Sequence, residues 1–185
     1  RMMKILNEMD YYSEMHTAEL YVRKANAIIS HMYVMNKGGF SQKQLRTINE
    51  YVTESIKIKE RFKTNTIVAY ANDLAFFYYQ TIGDFERGLE IANKSLNEMS
   101  IFSTQEIYGI YQSKKNIAIA NFFLKNYTES SKWFEEVFKM VTIGTRNWFN
   151  LTGLFFLNLI NAREYEQLYI LSYDVLTNKN LKKFP

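Results

Sequence analysis

Residues 82–99 read IGDFERGLEIANKSLNEM, a turn that runs into an amphipathic helix. The four residues IGDF (82–85) mark a turn between two helices. Asp84 offers a side-chain oxygen to cap the second. Beyond the turn, Phe85, Leu89, Ala92 and Leu96 recur at intervals of three or four and form one apolar stripe. Glu86 and Glu90 fall outside that stripe and face water. A related phrase, LKNYTESSKWFEEVFKM, occupies residues 124–140. There Asn126 holds the capping place, and Trp133, Phe134, Val137 and Phe138 form the stripe.

Two further turns complete the pattern, NKGGF at 36–40 and NAREY at 161–165. Each of the four turns ends in an aromatic: Phe40, Phe85, Tyr127 and Tyr165. They are separated by 45, 42 and 38 residues. A period near forty, long enough for two helices, is the signature of an α-helical solenoid. Connectors RFKTNT (61–66), SIFST (100–104) and TIGT (142–145) join one pair to the next. The reading is all-α, an α–α superhelix of about four antiparallel helical hairpins. The helices are expected at 9–36 and 41–60, 65–82 and 85–99, 104–125 and 128–141, 146–162 and 165–177. The hairpins, at about 9–60, 65–99, 104–141 and 146–177, form a single domain over 1–185. Pro185 is the only proline and there are only seven glycines, so little interrupts helices anywhere. Helix 65–82 carries Val68, Ala71, Leu74, Ala75, Phe76, Phe77 and Tyr78, so it is expected to be packed on several sides. The chain starts at Arg1, and the expectation is a piece of a longer protein.

Composition narrows the chemistry. With no cysteine there is no disulfide, thiolate metal site or cysteine nucleophile, and a cytoplasmic setting is the default expectation. Aromatics at 16% point to layers between helices filled by rings. The net charge of +4 is mild. In KIKERFK (57–63) the basic residues Lys57, Lys59, Arg61 and Lys63 alternate, which scatters them around a helix. No direct nucleic-acid contact is expected. No stretch approaches a membrane span, and Glu8 and Asp10 interrupt any signal-peptide core. His16 and His31 stand roughly 22 Å apart if they share one helix, too far for a common metal. Phosphate loops, H-E-x-x-H and G-x-S-x-G are absent. The acid pair Glu135-Glu136 fits the polar face of a helix. No catalytic, metal or cofactor residue is assigned, and the chain is not expected to be an enzyme. Three N-x-S/T triplets, starting at Asn93, Asn126 and Asn150, carry no functional weight among 17 asparagines.

The two central units resemble tetratricopeptide repeats. LAFFYYQTIGDFERGLEIANKSL supplies Ala75, Phe77, Tyr78, Gly83, Asp84, Phe85, Gly88, Ala92, Ser95 and Leu96. IAIANFFLKNYTESSKWFEEVF supplies Ala118, Phe122, Tyr127, Ser130, Phe134 and Phe138. The resemblance covers about 65–141. It departs from the family in period, in the missing proline at each repeat end, and in the outer units. These place Lys43 and Leu168 where a small residue belongs.

The resemblance implies that the first helix of each hairpin lines a concave groove for peptides or partner helices. Candidate groove residues are Asn72, Phe76 and Tyr79 from one unit and Lys115, Ile119 and Phe122 from the next. Asparagine amides can hold a peptide backbone, and a lysine can take a carboxylate. The rings and Ile119 also fit a plain core. The functional expectation is a scaffold for a protein or peptide partner of unknown identity, with the oligomeric state open. The alternatives are a peptide-sensing module of a bacterial regulator and, further off, a helical-repeat enzyme or nucleic-acid binder.

Overall fold

A computed structural model describes residues 2–35, 39–102 and 107–177 of the chain. Among the described residues eight helices follow one another: α1 (Met2–Met35), α2 (Gln42–Arg61), α3 (Asn65–Ile82), α4 (Phe85–Met99), α5 (Ile107–Phe123), α6 (Tyr127–Phe138), α7 (Arg146–Ala162) and α8 (Tyr165–Thr177). No strand occurs among the described residues. Each helix packs on the next, while α1, α3 and α5 also pack side by side in one layer. The fold is an all-α superhelix, as the turn spacing predicts. Helix α1 starts at Met2 rather than at residue 9, and α6 ends at Phe138 rather than 141. Residues 36–38 of NKGGF and 103–104 of SIFST lie outside the described residues.

Local chemistry fixes the helix starts. Ser41 and Gln44 form a reciprocal capping box: the Gln44 N–H donates to Ser41 Oγ at 3.3 Å, and the Ser41 N–H to Gln44 Oε1 at 2.9 Å. Thr64, Asp84 and Thr145 accept from the backbone N–H groups of Ile67, Arg87 and Trp148. Asn126 stands at the start of α6 but makes no such bond, against the sequence expectation. Its amide instead donates to Asn121 Oδ1 at 3.3 Å, back across the turn.

The three hairpin turns that follow α3, α5 and α7 repeat one backbone motif. Asp84, Asn126 and Glu164 each donate an N–H to the carbonyl five residues back, on Tyr79, Asn121 and Leu159, at 2.9 Å. The residue before each is left-handed: Gly83 (φ 77°), Lys125 (φ 64°) and Arg163 (φ 61°). This is the Schellman arrangement, which satisfies the last carbonyls of a helix and reverses the chain. Only one of the three turns uses the glycine that favours that backbone.

Inward positions repeat as well. Helix α2 buries Ile48, Val52, Ser55 and Lys59; α4 buries Gly88, Ala92, Ser95 and Met99, each forty residues later. Helix α6 continues with Ser130, Phe134 and Val137. The register of α2 therefore differs from the one predicted. Ile48, not Lys43, takes the close-packing place, and Lys43 is exposed. Small residues let the helices approach: Ser130 Oγ reaches the Ala118 carbonyl at 2.8 Å, and Ser95 and Ser113 bond at 2.8 Å. Gly109 is needed where α5 crosses α4, since a Cβ there would run into the buried Met99 side chain. Farther along, Phe134 stacks near Phe155, centroids 5.4 Å apart, in a core shared by α5, α6 and α7. No helix among the described residues is long and apolar enough to cross a membrane.

Candidate functional site

The layer made by α1, α3 and α5 holds a cleft of about 300 Å³. Its walls are one face of each helix: Asn26 and Ser30 from α1; Asp73, Phe76, Phe77 and Gln80 from α3; Tyr108, Gln112, Lys115, Asn116 and Ile119 from α5. The spacings within α3 and α5 are those of residues stacked on a single helix face. The lining mixes rings with amides and two opposite charges.

The polar groups are partly committed and partly free. Asn116 is buried, and its Nδ2 donates to Asp73 Oδ1 at 3.0 Å. Gln112 Nε2 donates to the Tyr108 hydroxyl at 2.8 Å, while Gln112 Oε1 is buried with no partner. Such an oxygen is costly to leave unmet and is a ready acceptor for an incoming N–H. Among the described residues neither Asp73 nor Lys115 has an ion-pair partner. The Lys115 ammonium sits 5.9 Å from the Tyr111 ring centre, a cation–π contact that leaves its donors open. Partial burial, with the Asp73 carboxylate adding to it against the bond from Gln112, pushes the Tyr108 phenol up to about 12. Burial and the same carboxylate also raise the Tyr111 phenol. Both rings therefore stay neutral donors at physiological pH.

Three of the six sequence candidates line this cleft: Phe76, Lys115 and Ile119. Phe76 and Ile119 are also core residues that pack with Ala92 and Ala120. The other three sit elsewhere. Asn72 is buried on the side of α3 that faces α2 and α4, where Lys59 Nζ donates to its Oδ1 at 3.0 Å and its Nδ2 donates to Glu98 Oε2 at 2.8 Å. Tyr79 lies against α4, with the Arg87 guanidinium over its ring at 5.9 Å. Phe122 packs toward the turn, 6.0 Å from the Tyr127 ring. Asn72 and Tyr79 are rotated toward the partner helix by about one residue, or about 100° of helix, from the line of Asp73, Phe76, Phe77 and Gln80. The same offset hid Asp73 and Gln80 on α3, whereas on α5 Tyr108, Gln112 and Asn116 share the face of Lys115 and Ile119 and were passed over. For Asp73 the signal was its place one residue past Asn72, and for Tyr108 and Gln112 it was their spacing of seven and three residues from Lys115.

A second polar cluster holds the α2, α3 and α4 helices together. Lys59, buried within this cluster, places all its donors on Asn72 Oδ1 and the two Glu98 oxygens, at 3.0, 3.2 and 3.1 Å. Burial raises the Glu98 carboxyl, but the bonds from Asn72 and Lys59 outweigh it and hold the group below its ordinary range. With every donor committed, this cluster offers little to a ligand.

No family model matches this chain, and no curated protein or solved structure matches it significantly.

Proposed function

We propose that this protein is a tetratricopeptide-like scaffold that binds a peptide or an extended segment of a partner protein in the cleft between α1, α3 and α5. The observation that carries the reading is the open capacity of the polar groups there: the buried Gln112 Oε1, which has no partner, and the Asp73 and Lys115 charges, outside any ion pair among the described residues, beside the Asn116 amide already bonded to Asp73. Amide and carboxylate groups spaced along neighbouring helices suit a chain with alternating N–H and C=O groups. The rings of Phe76, Phe77 and Tyr108 supply apolar surface for its side chains. The tetratricopeptide-like class is supported by the recurring turn and by the repeated inward positions, at a period longer than that family's usual one.

The test is a selection from a random-peptide display library on the immobilised 185-residue chain, with titration calorimetry of the enriched peptides. A groove binder yields peptides whose affinity drops at least about tenfold in Asp73→Asn/Lys115→Gln, the loss of one good charged contact. Enriched peptides that bind both proteins equally would remove the cleft from the account.

A further inference from the structure

We infer that the cleft between α1, α3 and α5 takes a short free peptide, about two or three residues long, by its two charged ends: Asp73 and Gln112 hold the terminal ammonium, and Lys115 holds the terminal carboxylate. The inference rests on the reading that this cleft is the binding face. It narrows the ligand from any peptide segment to one with both ends free.

Two opposite charges line the cleft from neighbouring helices, Asp73 on α3 and Lys115 on α5. Neither is in an ion pair among the described residues. Both are felt at one ring. The Lys115 ammonium sits 5.9 Å from the centre of the Tyr111 ring, and the Asp73 carboxylate adds to burial in raising the phenol of that ring. Opposite charges that share a cleft without pairing suit a guest that brings the complementary pair. One ligand carrying both signs then satisfies both hosts and leaves the site neutral.

The open hydrogen-bonding capacity divides the same way. Around Asp73 the open places are acceptors. Its Oδ1 takes the Asn116 amide at 3.0 Å, while Oδ2 has no bond among the described residues. Gln112, one turn before Asn116 on the same face of α5, presents the buried Oε1 that has no partner. An ammonium has three donors and no acceptor, and can serve both oxygens. A backbone amide has one donor and leaves one of them unmet. At Lys115 the open places are donors. A terminal carboxylate fills them with a charge-assisted bond, stronger than the bond a neutral carbonyl makes.

Size sets the length. The cleft holds about 300 Å³, at the lower end for small-ligand sites. An extended chain advances about 3.3–3.6 Å per residue, and packed helix axes lie about 8–10 Å apart. About two or three residues therefore cross from α3 to α5. The rings of Phe76 and Tyr108 give the side chains between the two ends an apolar wall.

Equilibrium dialysis of the 185-residue chain against a tripeptide mixture randomised at every position, read by mass spectrometry, tests this. The retained sequence is then titrated by calorimetry in unmodified, N-acetylated and C-amidated forms. The unmodified peptide should bind, and each modification should weaken it on the order of tenfold or more, the loss of one charged contact. These comparisons alter the ligand, so they do not depend on a variant's folding. Asp73→Asn should then abolish the difference made by acetylation and keep the one made by amidation, and Lys115→Gln should do the reverse. Equal binding of all forms overturns the inference, and so do differences that neither substitution removes. Suppose no tripeptide is retained, while a display-selected peptide grafted into a carrier loop, with no free end, binds and is weakened by Asp73→Asn/Lys115→Gln. End recognition then fails and the cleft stands as the binding face. If neither binds, the cleft reading fails and the inference falls with it.

Discussion

Helices α4 and α8 stand in the same place of their hairpins. Each follows a left-handed turn residue, and each opens on an aromatic, Phe85 or Tyr165. Their burial differs completely. Helix α4 seats Gly88, Ala92, Ser95 and Met99 between neighbours, whereas α8 buries nothing. Small residues at the third, seventh and tenth positions after the aromatic let α3 and α5 close on α4 from both sides. In α8 the corresponding places hold Leu168, Ser172 and Val175, and α8 keeps a greasy but looser contact with α7 and α6. Helix α6 buries Phe134 and Val137 at the same places because α5 and α7 pack on it, so burial in this fold follows the neighbouring helices, and total hydrophobicity does not predict it.

The largest expected effect tests that contrast directly. Phe134, fully buried in α6, should cost about 3–5 kcal/mol when cut to alanine, the range for large aromatic deletions in a core. Leu168→Ala, at the α8 contact, should cost only about 1 kcal/mol because its site is half-open. Urea unfolding of both variants measures the pair. Similar losses would mean that α8 is as firmly packed as α6.

The buried cluster of α2 to α4 gives the next effect. Removing the ammonium in Lys59→Ala should cost about 2 kcal/mol, a buried-pair value discounted because Glu98 remains partly exposed. The same cluster makes stability depend on acid. The Glu98 carboxyl is depressed on folding, so its contribution is complete above the ordinary value of 4.5 and fades as pH falls through the lower folded value. Below pH 4.5 the wild type should therefore lose stability more steeply than Glu98→Gln. Parallel pH–stability curves would contradict the assignment.

Glycines sharpen the comparison further. Gly109→Ala places a Cβ 2.9 Å from Met99 Sδ and 3.1 Å from its Cγ, and should cost about 1–3 kcal/mol by overpacking. Gly153→Ala, on the exposed face of α7 with nothing within 4 Å, should gain about 0.5–1 kcal/mol from helix propensity. The smallest change sits in the turns. Replacing left-handed Lys125 or Arg163 by glycine should gain about 0.5 kcal/mol, after the added unfolded-state freedom offsets part of the relief. Thermal melts of these four variants give the order; a stabilised Gly109→Ala would break the packing argument.

The fold was legible because its punctuation is local. Gly83, Asp84 and Thr145 act within a few residues, and the spacing of Phe85, Tyr127 and Tyr165 carries the repeat on its face. The register of α2 was not legible, since Phe40 marks the turn but Ile48 begins the inward run, and only contact with α3 decides between them. The cleft was half legible for a related reason. Periodicity gives the set of residues on a helix face, but the rotation of that face toward the groove depends on how α3 sits between α1 and α5. Phe76, Lys115 and Ile119 fell on the cleft, while an offset of one residue on α3 sent Asn72 into the Lys59–Glu98 cluster and concealed Asp73. The exposed Tyr165, Tyr169, Tyr173 and Leu176 of α8 were not singled out from the sequence, and their bareness is a fact of tertiary packing.

Side-chain amide resonances test the central claim most directly. Asn116, Gln112 and Asn26 line the cleft, while Asn72 and Asn158 are buried in clusters away from it. On titration with a peptide selected on this chain, the NH₂ signals of the first three should shift or broaden together, with those of Asn72 and Asn158 unmoved. Shifts confined to Asn72, Asn158 or α8, with Gln112 and Asn116 silent, would contradict the assignment of the cleft as the binding face.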